Sequence, residues 1–167
     1  KENGNNLLMW IGEKYMVNNV IEYLLENVKC YPDKVAFKDE SKEVTFAELD
    51  NMARKIAGAI TERLQGKKNQ PIAVYMEKSV DCVVAFMGIV YSGNFYSPID
   101  IHSPKDRIRV ILEVLEPVLV LANDSSRTSL EDGGINIAAD CIVFLDEVQI
   151  RDYGFCVEEV MEKSVDI

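Results

Sequence analysis

Histidine and tryptophan each occur once in 167 residues, as His102 and Trp10. A single imidazole with one nearby carboxylate, Asp100, makes neither a metal site nor a nucleophilic triad. His102 is therefore read as a surface or internally satisfied residue. The four cysteines, Cys30, Cys82, Cys141 and Cys156, form no C-x-x-C pair, which removes the usual zinc and dithiol spacings. They are expected as reduced thiols, mostly buried. No apolar run approaches the ~20 residues of a membrane span, and the longest, Val80 to Tyr91, is broken by Asp81 and reads as a buried helix. Basic residues are few, 18 against 28 acidic, for a net charge of −10. A field of that sign repels nucleic-acid and anionic-lipid phosphates, so neither is expected as a partner.

Phosphate-binding loops are missing as well. The run Ile142-Val143-Phe144-Leu145 followed by Asp146-Glu147 has the outline of a magnesium-holding strand, but no G-x-x-x-x-G-K-[ST] element accompanies it. It is expected to be a strand leaving the core into solvent. The one glycine pair, Gly133-Gly134, follows Glu131 and Asp132, which would repel phosphate, and is expected to be a turn. The cluster from Ser125 to Ser129 is read as part of a solvated polar loop, Asn123 to Thr128.

What is present is a regular alternation of patterns. Val20, Ile21, Leu24, Leu25 and Val28 recur at helical spacing behind Asn18 or Asn19 as cap, and Tyr31-Pro32-Asp33 ends that helix. Val35 to Phe37 and Val44-Thr45 read as two short strands around a polar turn. Thr45-Phe46-Ala47-Glu48 is a capping box, opening a helix with Leu49, Ala53, Ile56, Ile60 and Leu64 on one face. Ile72 to Tyr75 reads as a buried strand. Ser79 is expected to cap the helix that follows, and Gly93 to stop it in the left-handed conformation. Phe95 to Ser97 is a strand running into Pro98. Tyr91, Phe95 and Tyr96 are expected to pack in the core at this corner. Ser103 is expected to cap a helix with Pro104 at its first position, its apolar stripe Ile108, Ile111, Leu112 and Leu115, ended by Pro117. Val118 to Leu121 and Cys141 to Leu145 complete the strands.

Strands separated by single helices predict an α/β fold, a mostly parallel sheet with crossover helices. The patterns supply scaffold, and no residue is assigned a catalytic, cofactor-binding or metal-binding role.

Two segments are more specific. Val44-Thr45-Phe46-Ala47-Glu48-Leu49 resembles the early L-T-Y-x-E-L motif of the AMP-binding adenylation superfamily. Met87 to Asp100 resembles its second motif, L-K-A-G-x-A-Y-V-P-I-D, with Tyr91, Ser92 and Asn94 at positions commonly lysine and alanine. Ser103 to Ile108 is similar to the P-x-x-R-I that follows, and Tyr31 to Ala36 to the P-D-x-x-A opening. The resemblance covers residues 19–122 well and implies the N-terminal part of the adenylate-forming synthetase fold. Residues 19–167 would be the N-terminal portion of an adenylation domain that stops before the ATP phosphate loop, and residues 1–18, with the cluster Leu7 to Ile11, an extension or arm.

The implied parent is an AMP-forming ligase. It would activate a carboxylate, of an amino acid by the Y-x-P-I-D form, with ATP and magnesium, and pass it to the thiol of a phosphopantetheine carrier protein or coenzyme A. None of the family's catalytic or nucleotide-binding motifs has a counterpart here. The piece by itself is expected to be inactive, to bind no cofactor, and to self-associate through surface that its neighbours would bury. No cleavage site follows the N-terminal apolar cluster, and the cytoplasm is the expected location. The alternative is a stand-alone, non-catalytic α/β module that binds a protein partner.

Overall fold

Asn19 opens the first helix by accepting from the amides of Ile21 (2.9 Å) and Glu22 (3.2 Å), two of the donors that a helix start leaves unpaired. This computed structural model describes residues 19–131 and 137–149. Helix α1 (Val20–Cys30) leads into the antiparallel hairpin of β1 (Val35–Lys38) and β2 (Glu43–Thr45). Thr45 ends β2 and also caps α2 (Phe46–Arg63). Its hydroxyl accepts from the Glu48 amide at 3.2 Å, and Glu48 accepts from the Thr45 amide at 2.8 Å, so the expected capping box is formed. The Thr45 amide first, and then the Thr45 hydroxyl donating to Glu48 Oε2 (3.0 Å), lower the Glu48 pKa.

From β3 onward the chain alternates. The elements are β3 (Pro71–Tyr75), α3 (Val80–Tyr91), β4 (Phe95–Ile99), α4 (Lys105–Leu115), β5 (Leu119–Ala122), α5 (Asp124–Glu131) and β6 (Ile142–Phe144), closed by α6 (Leu145–Gln149). The four strands make one parallel sheet in the order β4-β3-β5-β6, as the alternation predicts. The helices divide between its faces. Leu49, Ile56 and Ile60 of α2 and Val84 and Ile89 of α3 pack with Ile72, Val74 and Leu121 on one side. Ile108 of α4 and Leu130 of α5 cover Ala73, Tyr75, Val120 and Ala122 on the other. Strand residues one apart thus serve opposite layers, which is why the strands read as unbroken apolar runs.

The corner after α3 closes as its glycine requires. Gly93 sits at φ +75°, its amide donates to Val90 O (2.9 Å) and that of Asn94 to Ile89 O (3.2 Å), the paired bonds of a left-handed helix stop. The two departures from the family motif each have work. Ser92 Oγ donates to Ile89 O (2.7 Å), and the buried Asn94 donates to Ser92 Oγ (2.9 Å) and accepts from the Gln70 amide (2.9 Å). Pro98 lies in β4, at the sheet edge, where a missing donor is tolerated.

Several expectations are corrected. Ser79 holds the N-cap position of α3 but caps nothing. Ser103 is not a cap either; α4 starts after Pro104 without a side-chain cap. Asn123 to Thr128 is not a loop but leads into α5. That helix carries one buried apolar side chain, Leu130, too little periodicity to show. It starts because Ser126 Oγ reaches back to the Asn123 amide (3.1 Å). Of the aromatic trio only Tyr91 is core; Phe95 is 51% and Tyr96 41% exposed. Cys82 is buried, but Cys30 is exposed and Cys141 half-buried. Cys141 belongs to a short 3-10 turn and Leu145 to α6, so the last strand is only Ile142–Phe144. Gly133-Gly134, Cys156 and residues 1–18 lie outside the described residues.

Candidate functional site at the carboxyl edge of the sheet

Open parallel sheets take ligands outside the carboxyl ends of their strands, where successive crossovers leave in opposite directions. Here that point lies between β3 and β5: the chain goes from β3 outward to β4, then returns past β3 to β5. The side chains of this edge come from the loops after each strand and from the β1–β2 hairpin.

The hairpin enters first. Asp39 Oδ2 accepts from the Val80 amide at 2.7 Å, while Oδ1 accepts from the amides of Ser41 (2.8 Å) and Lys42 (2.9 Å) and from the Ser41 hydroxyl (2.7 Å). These donors, Val80's above all, hold the Asp39 carboxyl far below the usual carboxylate range. Lys42 pairs with Asp81, and the other Asp81 oxygen accepts from Asn123 Nδ2 at 3.1 Å. Asn123 Oδ1 in turn accepts from the hydroxyls of Ser125 (2.8 Å) and Ser126 (3.1 Å). One chain of contacts therefore joins hairpin, α3, β5 and α5 across the crevice.

The flanks are equally self-engaged. Tyr75 and Ser129 hydroxyls lie 2.7 Å apart, and His102 Nε2 is 3.3 Å from Glu77 Oε1. His102 thus bridges the loops after β3 and β4, on the surface as expected. Arg127 lies over the Phe144 ring at 3.6 Å and donates to Glu147 (3.0 Å), Asp124 (3.2 Å) and Asp146 (3.5 Å). Glu147 first, and then Asp124, raise its pKa. Asp146 and Glu147 do not run into solvent from a strand. They form the first turn of α6 and are held to α5 through Arg127.

This arrangement braces; it presents no reacting pair. Among the described residues no three or more His, Cys, Asp or Glu groups gather as metal ligands, and no buried side-chain nitrogen or oxygen lacks a hydrogen-bond partner. Carboxylates border the crevice: Asp39 accepts from the first amide of α3, and Asp81 lies in that helix's first turn. No magnesium site is formed among the described residues. Sequence reasoning found Thr45, Glu48 and Gly93 but missed Asp39, Lys42, Asn123 and Arg127, whose partners lie 19 to 42 positions away. The one usable signal was Asp39 before Ser41, an aspartate at a polar turn.

The family model for AMP-binding enzyme matches residues 24–162. The chain belongs to the AMP-binding enzyme family. Among its relatives, tyrocidine synthase 1 of Brevibacillus parabrevis is 33% identical over 125 residues, covering 75% of this chain and 11% of that protein. A D-alanine–D-alanyl carrier protein ligase of Lacticaseibacillus casei (strain BL23) is 35% identical over 99 residues, 59% of this chain and 19% of the ligase. The nonribosomal peptide synthetase FmoA3, in its alpha-methyl-L-serine-AMP bound form, superimposes with a TM-score of 0.67 at 26% identity, covering 76% of this chain and 14% of that one. The anthranilate CoA ligase AuaEII, in complex with anthranoyl-AMP, shares the fold, with a TM-score of 0.68 at 18% identity over 79% of this chain and 27% of the ligase. The chain thus spans at most about a fifth of the two relatives compared by sequence. Among the described residues no helix is long and apolar enough to cross a membrane.

Proposed function

We propose that this chain is the N-terminal portion of the adenylation domain of an AMP-forming acid–thiol ligase. The match to the AMP-binding family over 24–162 carries this reading. Sequence relatives that include a peptide synthetase and D-alanyl carrier protein ligases support an amino acid as the acid. In the parent, a carboxylate oxygen attacks the α-phosphate of ATP and pyrophosphate leaves. A thiol of a carrier protein or coenzyme A then attacks the acyl carbon and expels AMP. ATP and magnesium are bound, in this reading, by residues outside 19–149, in the cytoplasm. The described residues supply a braced wall to that site.

It follows that the 167-residue chain alone is inactive. Amino-acid-dependent ATP–pyrophosphate exchange measured on it is expected to stay at background, and exchange clearly above background would overturn the assignment of the chemistry to other residues.

A second reading, a non-catalytic module that binds a protein partner, is favoured by one observation. Phe95, Val110 and Val114, the last 81% exposed, line an apolar trough of about 490 Å³ with Pro71 and Leu115. The coding sequence separates the readings. Continuation into a Gly/Ser/Thr-rich segment supports the ligase, and a stop codon directly after Ile167 supports the module.

A further inference from the structure

Helix α3 does not supply its own cap. The Ser79 hydroxyl turns back and donates to the Glu77 carbonyl at 3.0 Å, leaving the Val80 amide to Asp39, 41 positions earlier. Asp39 divides its oxygens: one closes the hairpin's own turn through Ser41 and Lys42, the other caps a helix of the parallel sheet. Lys42 adds a second tie by pairing with Asp81, in the first turn of the same helix. Asp81 then passes the connection to Asn123, directly after β5. Two residues of one turn therefore grip the start of α3, and Asp81 of that helix ties it across the crevice to Asn123.

A helix start attracts an anion, because its free amides and the helix dipole both favour negative charge. In this fold the anion is already part of the polypeptide. We propose that the β1–β2 hairpin is a clasp: Asp39 and Lys42 lock it onto the start of α3, and in that position it shuts the crevice at the strand reversal against phosphate. The inference goes beyond the ligase reading and holds whatever reaction the parent performs.

Amide exchange and chemical-shift titration by NMR on the 167-residue chain test the clasp. In the wild type, the Val80 and Asp81 amide resonances are expected to hold their positions when inorganic phosphate or AMP is added. A saturable shift of either would overturn the proposal. In Asp39→Ala the Val80 amide is expected to exchange about tenfold faster, together with the amides of the hairpin, while those of β3 and β5 keep their protection. Unchanged exchange at Val80 and in the hairpin would overturn it equally. Should Asp39→Ala fail to fold, Lys42→Ala removes the second tie and leaves the cap. It is expected to speed exchange in the hairpin several-fold with Val80 still protected, and hairpin exchange at the wild-type rate would count against the clasp.

Discussion

Gly88 of α3 lies directly against Ile56 of α2: a Cβ added at Gly88 would fall 2.5 Å from Ile56 Cγ2, 2.6 Å from its Cβ and 3.1 Å from Ala53 O. The two helices approach so closely because one of them has no side chain at the crossing. Both residues are buried, so neither can move into solvent.

Gly88→Ala is accordingly expected to destabilise the chain by about 1–3 kcal/mol, the usual range for overpacking, despite alanine's better helix propensity. Urea denaturation measures it. In an Ile56→Ala background the Cγ2 contact is gone while the Cβ contact at 2.6 Å remains, so the same substitution should cost less but still destabilise. An equal cost in both backgrounds would show that the Ile56 Cγ2 contributes nothing to the clash.

Asn94→Ala should cost about 1–2 kcal/mol, because the Gln70 amide at the head of β3 loses its acceptor and Ser92 Oγ loses a donor. The double substitution Ser92→Ala with Asn94→Ala is expected to cost less than the two added, as they share a bond. Strict additivity, read by thermal denaturation, would contradict this.

Glu116 ends α4 with φ 46° and ψ 54°, a left-handed conformation that strains any side chain. Glu116→Gly is expected to raise stability by about 0.5–1 kcal/mol, the relief of strain exceeding the added freedom of the unfolded chain. A loss of stability on the same scale would mean that the Glu116 side chain has a role of its own.

Acid should loosen the hairpin's hold on α3. The Asp39 pKa is lower in the folded chain than in the unfolded one, so its contribution is complete above the ordinary aspartate pKa of about 3.9 and is lost as pH falls below it. Glu48 shifts in the same direction. Stability measured from pH 7 downward is expected to fall less steeply below about pH 4 in Asp39→Asn than in the wild type. Identical acid limbs would remove Asp39 from the account.

Phe95, Val110 and Val114 predict self-association despite the net charge of −10. Sedimentation should show mass rising with concentration. Val114→Lys is expected to suppress that rise while changing stability by no more than about 0.5 kcal/mol, as for an exposed position. A wild-type chain that stays monomeric at high concentration would exclude this face as an interface.

The sequence by itself determined the elements whose causes are local. The capping box of Thr45 and Glu48, the glycine stop at Gly93, the exit at Pro117 and the apolar runs of the strands depend on residues within a few positions of each other, and through them the parallel α/β order was legible. Helix α5 was not, since a single buried leucine leaves no stripe and its start depends on a serine reaching back to Asn123. Tertiary structure alone decided which residues meet at the carboxyl edge. Asp39 with Val80, Lys42 with Asp81 and Arg127 with Glu147 are brought together by the folding of separate units, and no spacing along the chain encodes a contact made across such a distance. The same holds for Gly88 beneath Ile56, where the sequence shows a small residue and only helix packing shows what it makes room for.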